Sequence, residues 1–313
     1  MTSGTNGSEL KRLPTEKINK FSSELDLKSA MQIARLINSE DAKVAAAVKH
    51  ALPSIGRAVE LIANGFRHGG RLIYVGTGTS GRIAALDAAE CPPTFNSNPK
   101  MVQFIIAGGP KALATAVEAD EDSRELGWRE IKRKSPGKHD VVVGIAASGR
   151  TPFTLAAIEY ARSKGATTIA LTCTRNSPLE RAADLAIVTE VGPEVLAGSS
   201  RMKAGTAQKM VLNMLSTGAM ARIGYVYGNL MVNLHLKNSK LRERGIGILQ
   251  EAAGVDRSTA ARALAAAGNK VAVALVMLQT GVSRRAAALA LGSTNGHVRK
   301  AIALASGKRL NKK

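Results

Sequence analysis

Two hydroxyl-rich glycine turns and three carboxylates are the residues of this chain whose types and spacing could do chemistry. The first turn, Gly76-Thr77-Gly78-Thr79-Ser80-Gly81-Arg82, leaves the apolar run Leu72-Ile73-Tyr74-Val75. The second, Ala146-Ala147-Ser148-Gly149-Arg150-Thr151-Pro152, leaves Val141-Val142-Val143-Gly144-Ile145. Each sets backbone N–H groups and small hydroxyls at the end of a predicted strand, where a helix begins. The first N–H groups of a helix lack internal partners and the dipole there favours negative charge, so such a turn receives an anion. Two of them in one sheet imply a phosphorylated small molecule held between them. The first turn also fits the dinucleotide fingerprint, but the next predicted strand, Val102–Ile106, ends in Ala107-Gly108-Gly109-Pro110 without the acid that a ribose requires. No Gly-Lys-Ser/Thr follows either turn, which excludes a P-loop. Thr77, Thr79, Ser80, Ser148 and Thr151 suit one phosphate monoester better than a pyrophosphate.

A sugar-phosphate pocket becomes a catalyst when general acids and bases line it. Glu90 ends the helix that starts at the first turn, and Cys91-Pro92-Pro93-Thr94 is expected to break the chain there. Glu121 lies in Val117-Glu118-Ala119-Asp120-Glu121-Asp122-Ser123, an acid-rich stretch that taken alone reads as a solvated face with Ser123 capping the next helix. Glu194 opens a loop that offers Ser199, Ser200, Arg201 and Lys203 ahead of a predicted helix, a third anion-facing feature. His50, His68, His139, His235 and His297 are scattered without metal-ligand spacing, so no metal is expected. The residues alone support cofactor-free carboxylate chemistry on a phosphosugar, by isomerisation or elimination, or a sensor that only binds.

These residues need a scaffold. Aromatics are only 3% of the chain while small aliphatics abound, as in helices packed on a parallel sheet. Strands are expected near 71–75, 102–106, 140–145, 167–172 and 185–189. Helices are expected at Ser80–Ala89, Pro110–Ala119, Ser123–Lys134, Thr151–Lys164 and Lys203–Arg222. This alternation predicts an α/β fold, a doubly wound parallel sheet whose ligand sits at the carboxyl ends of the strands. Two helices, Asp26–Asn38 and Ser39–His68, precede it, with Ser39 as an N-cap and a break at Pro53. They are expected outside the sheet or across a subunit interface.

Short Ala-rich helices near 239–253, 256–266, 270–280, 282–292 and 295–305 form a small C-terminal helical domain. The divisions are 1–22, a flexible leader; 23–69, the N-terminal helices; 70–225, the phosphosugar domain; 226–305, the helical domain; and 306–313, a basic tail. The net charge of +20 is concentrated late, with 15 Lys/Arg against 3 Asp/Glu from Lys237 onward. Without a zinc pattern, aromatic RNA motif or long basic run, it reads as a solvated basic surface, and no nucleic acid is expected. The two cysteines fit no disulfide framework, and no signal or membrane span is evident, so a soluble cytoplasmic protein is expected.

At these same residues the chain resembles the N-acetylmuramic acid 6-phosphate etherases, a branch of the sugar isomerase domain proteins. The matching stretches are Tyr74–Arg82, Leu86–Thr94, Val117–Ser123, Ala146–Pro152 and Pro193–Met210, with the leader Leu13–Asn19 also similar. The likeness spans nearly all of 13–305. Ala88-Ala89, Phe95 and Ala119 depart modestly from the family pattern. The resemblance implies the sugar isomerase domain fold and cleavage of a D-lactyl ether by elimination and hydration, without metal or cofactor. It implies Glu90 as the acid assisting departing lactate, which calls for burial around it, and Glu121 as the C2 base. It further implies a phosphorylated amino sugar held by Thr77, Gly78, Thr79, Ser80, Ser148, Gly149, Thr151, Glu194, Ser199, Ser200 and Lys203. A homodimer with its site near the subunit interface follows in the same way. The rivals are a regulator like the glucokinase regulatory proteins, and an aldose–ketose isomerase with Glu194 as base.

Overall fold

The computed structural model describes residues 15–117, 120–236 and 238–307. Five strands, β1 (Leu72–Gly76), β2 (Val102–Ile106), β3 (Val141–Ile145), β4 (Thr167–Thr172) and β5 (Leu185–Val188), form one sheet in the order β2-β1-β3-β4-β5. Every pairing is parallel, with Leu72 opposite both Val102 and Val141. β1 and β3 are buried along their whole length, whereas the edge strands β2 and β5 are partly open. That is why the central strands read as unbroken apolar runs. Tyr74, Ile145, Phe153, Ile158 and Leu171 are fully buried.

Successive connections leave β1 toward β2 on one side and toward β3 on the other. The carboxyl ends of β1 and β3 therefore border a switch-point crevice, the place where open α/β sheets receive ligands. The elements between the strands are α3 (Gly78–Phe95), α4 (Arg124–Lys134), α5 (Pro152–Ser163) and the short α6 (Pro178–Ala182), and α7 (Lys203–Arg222) follows β5. The predicted helix over Pro110–Ala119 is instead a 3-10 turn, Gly109–Leu113. Gly108 and Gly109 both take positive φ, at 80° and 63°, and this prevents a regular helical start. Glu118 and Ala119 lie outside the described residues.

Ahead of the sheet stand α1 (Ala30–His50) and α2 (Leu52–Arg67). α1 runs straight through Ser39, so the expected cap is mid-helix. Ser29 is the N-cap, and its capping box with Gln32 satisfies two end donors. Pro53 sits in the first turn of α2, as the expected break requires. α2 does not stand off the sheet but packs against β1, β3 and β5. The leader is not free from residue 15 onward: Thr15 and Asn19 are buried, the Gly198 N–H donates to the Thr15 carbonyl at 3.2 Å, and Asn19 donates to the Pro193 carbonyl at 3.4 Å.

The described chain divides into two compact units. One comprises the residues up to Ala88 with Lys100–Ser216, and the other Ala89–Pro99 with the residues from Thr217 on. The second unit holds α8 (Ser239–Ala253), α9 (Arg257–Ala266), α10 (Val271–Thr280), α11 (Arg284–Ser293) and α12 (Val298–Ala305). Its core gathers Val232, Leu249, Leu264, Val271–Val276, Leu291 and Val298. Among the described residues no single helix is long and apolar enough to cross a membrane, and the apolar pair α9–α10 is bent by 114°. Of the predicted basic tail, 308–313 lie outside the described residues.

Candidate functional site

A cavity of about 250 Å³ opens at the switch point of the first unit. Thr77, Gly78, Thr79 and Ser80 line it from the β1–α3 turn, and Ala146, Ala147, Ser148 and Thr151 from the β3–α5 turn. Thr151 is the N-cap residue of α5, yet its side chain makes no cap hydrogen bond, so that hydroxyl is not consumed by the helix. Gly78 has φ +48°, and a Cβ there would stand 3.1 Å from Glu121 Oε1. Gly149 does not line the cavity but shapes its turn, with φ +65° and room for no Cβ, which would fall 2.4 Å from the Ser177 Cβ. Among the described residues no Lys or Arg lines the cavity. An anion placed there would meet neutral hydroxyls and the N-terminal ends of α3 and α5.

Glu121 lines the same cavity, and its carbonyl accepts the Phe153 N–H at 3.1 Å, tying its loop to the start of α5. The solvated-face reading of the acid-rich stretch therefore fails for Glu121, while Ser123 does cap α4. Ser200 reaches the cavity and Ser199 is not among its lining residues. Thr15 and Glu16 also line it, and reasoning from the two turns alone missed both. The only signal for them was the likeness of the Leu13–Asn19 leader to the etherases.

The third anion-facing feature is already filled. Glu194 is buried, and its carboxylate accepts the N–H groups of Lys203 at 3.0 Å and Ala204 at 2.9 Å. It thus occupies the N-terminus of α7 that a substrate anion would otherwise take. Burial pushes the Glu194 carboxyl above the usual carboxylate range, and the two backbone donors only partly offset this. Lys203 is buried too, its Nζ 2.6 Å from Glu40 Oε2 on α1. Burial raises the Glu40 carboxyl, but hydrogen bonds from Lys203 and Lys43 outweigh it and hold the group below its ordinary value. Glu194 and Lys203, expected at the substrate, are engaged in the scaffold and do not line the cavity.

α3 is not broken after Glu90. Pro92 and Pro93 lie inside the helix, which closes only where the Asn96 N–H donates to the Pro92 carbonyl at 2.9 Å, with Asn96 at positive φ. The prolines forfeit two helical donors without forcing the turn open, because their fixed φ is itself helical. Glu90 is exposed in the single chain, against the burial expected of an acid; the neighbouring Cys91 takes the inward face. Glu90 lines a second cavity, of about 400 Å³, which lies wholly within the second unit.

One turn earlier, Asp87 anchors α3. It accepts hydrogen bonds from Tyr74 Oη at 2.8 Å, Asn213 Nδ2 at 2.7 Å and Ser216 Oγ at 3.0 Å. Burial pushes the Asp87 carboxyl above its usual range, the donors opposing. Among the described residues no group of acids, histidines and cysteines could hold a metal ion.

Comparison with known proteins shows what the chain is similar to. A family model described as "Glucokinase regulatory protein N-terminal SIS domain" matches residues 54–162, and the SIS domain model matches 136–218. An N-acetylmuramic acid 6-phosphate etherase of Aliivibrio fischeri is 50% identical over 294 residues, 94% of this chain and 98% of its own length. The etherase of Aeromonas hydrophila is 50% identical over 290 residues, covering 93% and 97%. One of Vibrio cholerae is 50% identical over 294 residues, covering 94% and 98%. Among solved structures, a phosphoheptose isomerase from Francisella tularensis aligns with a TM-score of 0.47 at 18% identity, over 61% of this chain and 98% of that one.

Proposed function

The chain belongs to the N-acetylmuramic acid 6-phosphate etherases, and from that membership we propose that it cleaves the D-lactyl ether of N-acetylmuramic acid 6-phosphate, giving N-acetylglucosamine 6-phosphate and D-lactate in amino-sugar recycling. The observation that carries the reading is half identity along nearly the whole chain, joined to a hydroxyl-lined cavity that holds a carboxylate at the switch point.

The chemistry follows from the substrate. In the open-chain form the C1 aldehyde acidifies the C2 proton, and the Glu121 carboxylate removes it. The electron pair forms the C2=C3 bond as the C3–O bond breaks, and Glu90 gives its proton to the departing lactate oxygen. Water then adds at C3 and a proton returns to C2, so one water is consumed overall. A C–O bond is broken and remade with no net oxidation or reduction, and the group transfers asked of the protein are proton transfers that two carboxyl groups can perform. The hydroxyls of Thr77, Thr79, Ser80, Ser148 and Thr151 hold the phosphate, and the sugar carbons lie beside Glu121 in the same cavity.

Glu90 is exposed in the single chain, where an acid that protonates a leaving group calls for burial, and this supports a homodimer in which a second copy covers it, with the site near the subunit interface. Two buried thiols, Cys91 and Cys173, the second pushed up to about 11 by burial, and a phosphorylated substrate support a cytoplasmic place of action. An isomerase using Glu194 as base is disfavoured, because both oxygens of that carboxylate accept backbone N–H groups.

The test is D-lactate release from N-acetylmuramic acid 6-phosphate by the wild type and by Glu90→Ala and Glu121→Ala. Release that both substitutions abolish is expected. Phosphosugar binding without release would overturn the enzyme reading in favour of a regulator.

A further inference from the structure

The cavity of about 400 Å³ around Glu90 has a composition that the elimination chemistry does not by itself require. Its walls are largely apolar, with Pro92, Met231 and Leu241 among them, and two basic side chains, His235 and Arg244, open onto it. Arg244 lies on α8 and is exposed. Arg257, at the start of α9, is spent: its guanidinium donates to both oxygens of Glu243, at 2.6 and 3.1 Å. Arg244 has no hydrogen bond or ion pair with any described residue, and neither has His235. The cavity thus joins a carboxyl group, a guanidinium fork without a carboxylate, an imidazole and an apolar wall. An arginine fork matches a carboxylate in two parallel hydrogen bonds.

A ligand complementary to this set is small and carries one carboxylate, one short apolar branch and an oxygen that can take a proton. A 2-alkoxypropanoate arm has those groups. We propose that the cavity seats the lactyl arm of the substrate, with the Arg244 guanidinium, seconded by the His235 imidazole, receiving the arm's carboxylate beside Glu90. This rests on the etherase reading. Binding the carboxylate at Arg244 brings the ether oxygen on the adjacent carbon toward Glu90, turns the methyl to the apolar wall, and rejects ethers that lack the acid. Arg244 is then a specificity residue for the acid group of the ether.

The experiment compares N-acetylmuramic acid 6-phosphate with its lactamide analogue, in which the carboxylate is a carboxamide, on wild type, Arg244→Met and Arg244→Lys. The preference of the wild type for the carboxylate, as a ratio of kcat/KM values, is expected to fall at least about tenfold in Arg244→Met, chiefly through KM, and less in Arg244→Lys, which keeps charge but loses the fork. An equal loss on both ethers, or none, would overturn the inference while leaving the etherase reading intact. Should the wild type turn over neither ether, that reading fails, and ligand-observed NMR with D-lactate then decides the site. Line broadening by wild type that is lost in Arg244→Met upholds it, and absence of broadening by wild type overturns it.

Discussion

Replacing Lys203 by Met separates a scaffold role from a substrate role. The Lys203 Nζ stands 2.6 Å from Glu40 Oε2, and the two side chains are only 2% and 5% exposed. Glu40 keeps a second partner, Lys43 at 2.5 Å, but that lysine is 54% exposed and its pair is screened by water. Removing one partner of a buried pair costs about 3–5 kcal/mol, because the other charge is left desolvated. The residual Lys43 contact places Lys203→Met near the lower end, about 3 kcal/mol. Removing both charges in Lys203→Met with Glu40→Leu should recover most of that loss, since Glu40 no longer leaves an unpaired buried carboxylate and Glu194 keeps its two backbone donors. Urea denaturation of the four proteins gives the coupling directly.

The same pair carries a pH signature. Glu40 is held below its ordinary 4.5, so its contribution is present above that value and lost as pH falls through the lower folded-state value. A Lys203→Met protein as stable as wild type but with a raised KM would refute the reasoning and return Lys203 to the substrate.

Three further outcomes follow from buried or strained groups. Glu194→Gln substitutes an amide N–H for one acceptor at the head of α7, and should cost about 2 kcal/mol in urea midpoint experiments. Because Asp87 is raised above its ordinary value, its contribution is full below that value and declines as pH rises through the folded-state one. Asp87→Asn should therefore equal or exceed wild-type stability at pH 7, whereas Asp87→Leu, which deprives Tyr74, Asn213 and Ser216 of their acceptor, should lose at least about 2 kcal/mol. Gly78→Ala, at φ +48° and against Glu121 Oε1, should lower kcat/KM at least about tenfold, a strain of roughly 1.4 kcal/mol delivered at the cradle.

All five strands were legible because buried parallel strands leave uninterrupted apolar runs, and the C-terminal helices because Gly and cap residues punctuate them. The start of α1 was not. Ser29 and Ser39 are both plausible caps, and only the capping box with Gln32 distinguishes them. The hydroxyl turns could be placed from the sequence because each is a local junction of strand and helix, and the structure brings both to one cavity. The fate of Lys203 could not, since its partner Glu40 lies 163 residues away and no local pattern announces the pair. Glu194 was misread for the opposite reason. Its position before an open helix N-terminus was recognised as anion-binding, but the anion is the chain's own carboxylate. The burial expected around Glu90 is absent from the single chain, where the residue lies on an exposed turn of α3.

The most direct test of the central claim is the isotopic outcome of turnover in labelled water. Elimination and hydration predict that N-acetylglucosamine 6-phosphate formed in D₂O carries deuterium at C2, and that product formed in H₂¹⁸O carries the label at the C3 hydroxyl, with lactate unlabelled at its former ether oxygen. Retention of the original C2 hydrogen together with ¹⁸O in lactate would contradict the account, since the ether would then have been cut on the lactyl side without any role for a C2 base.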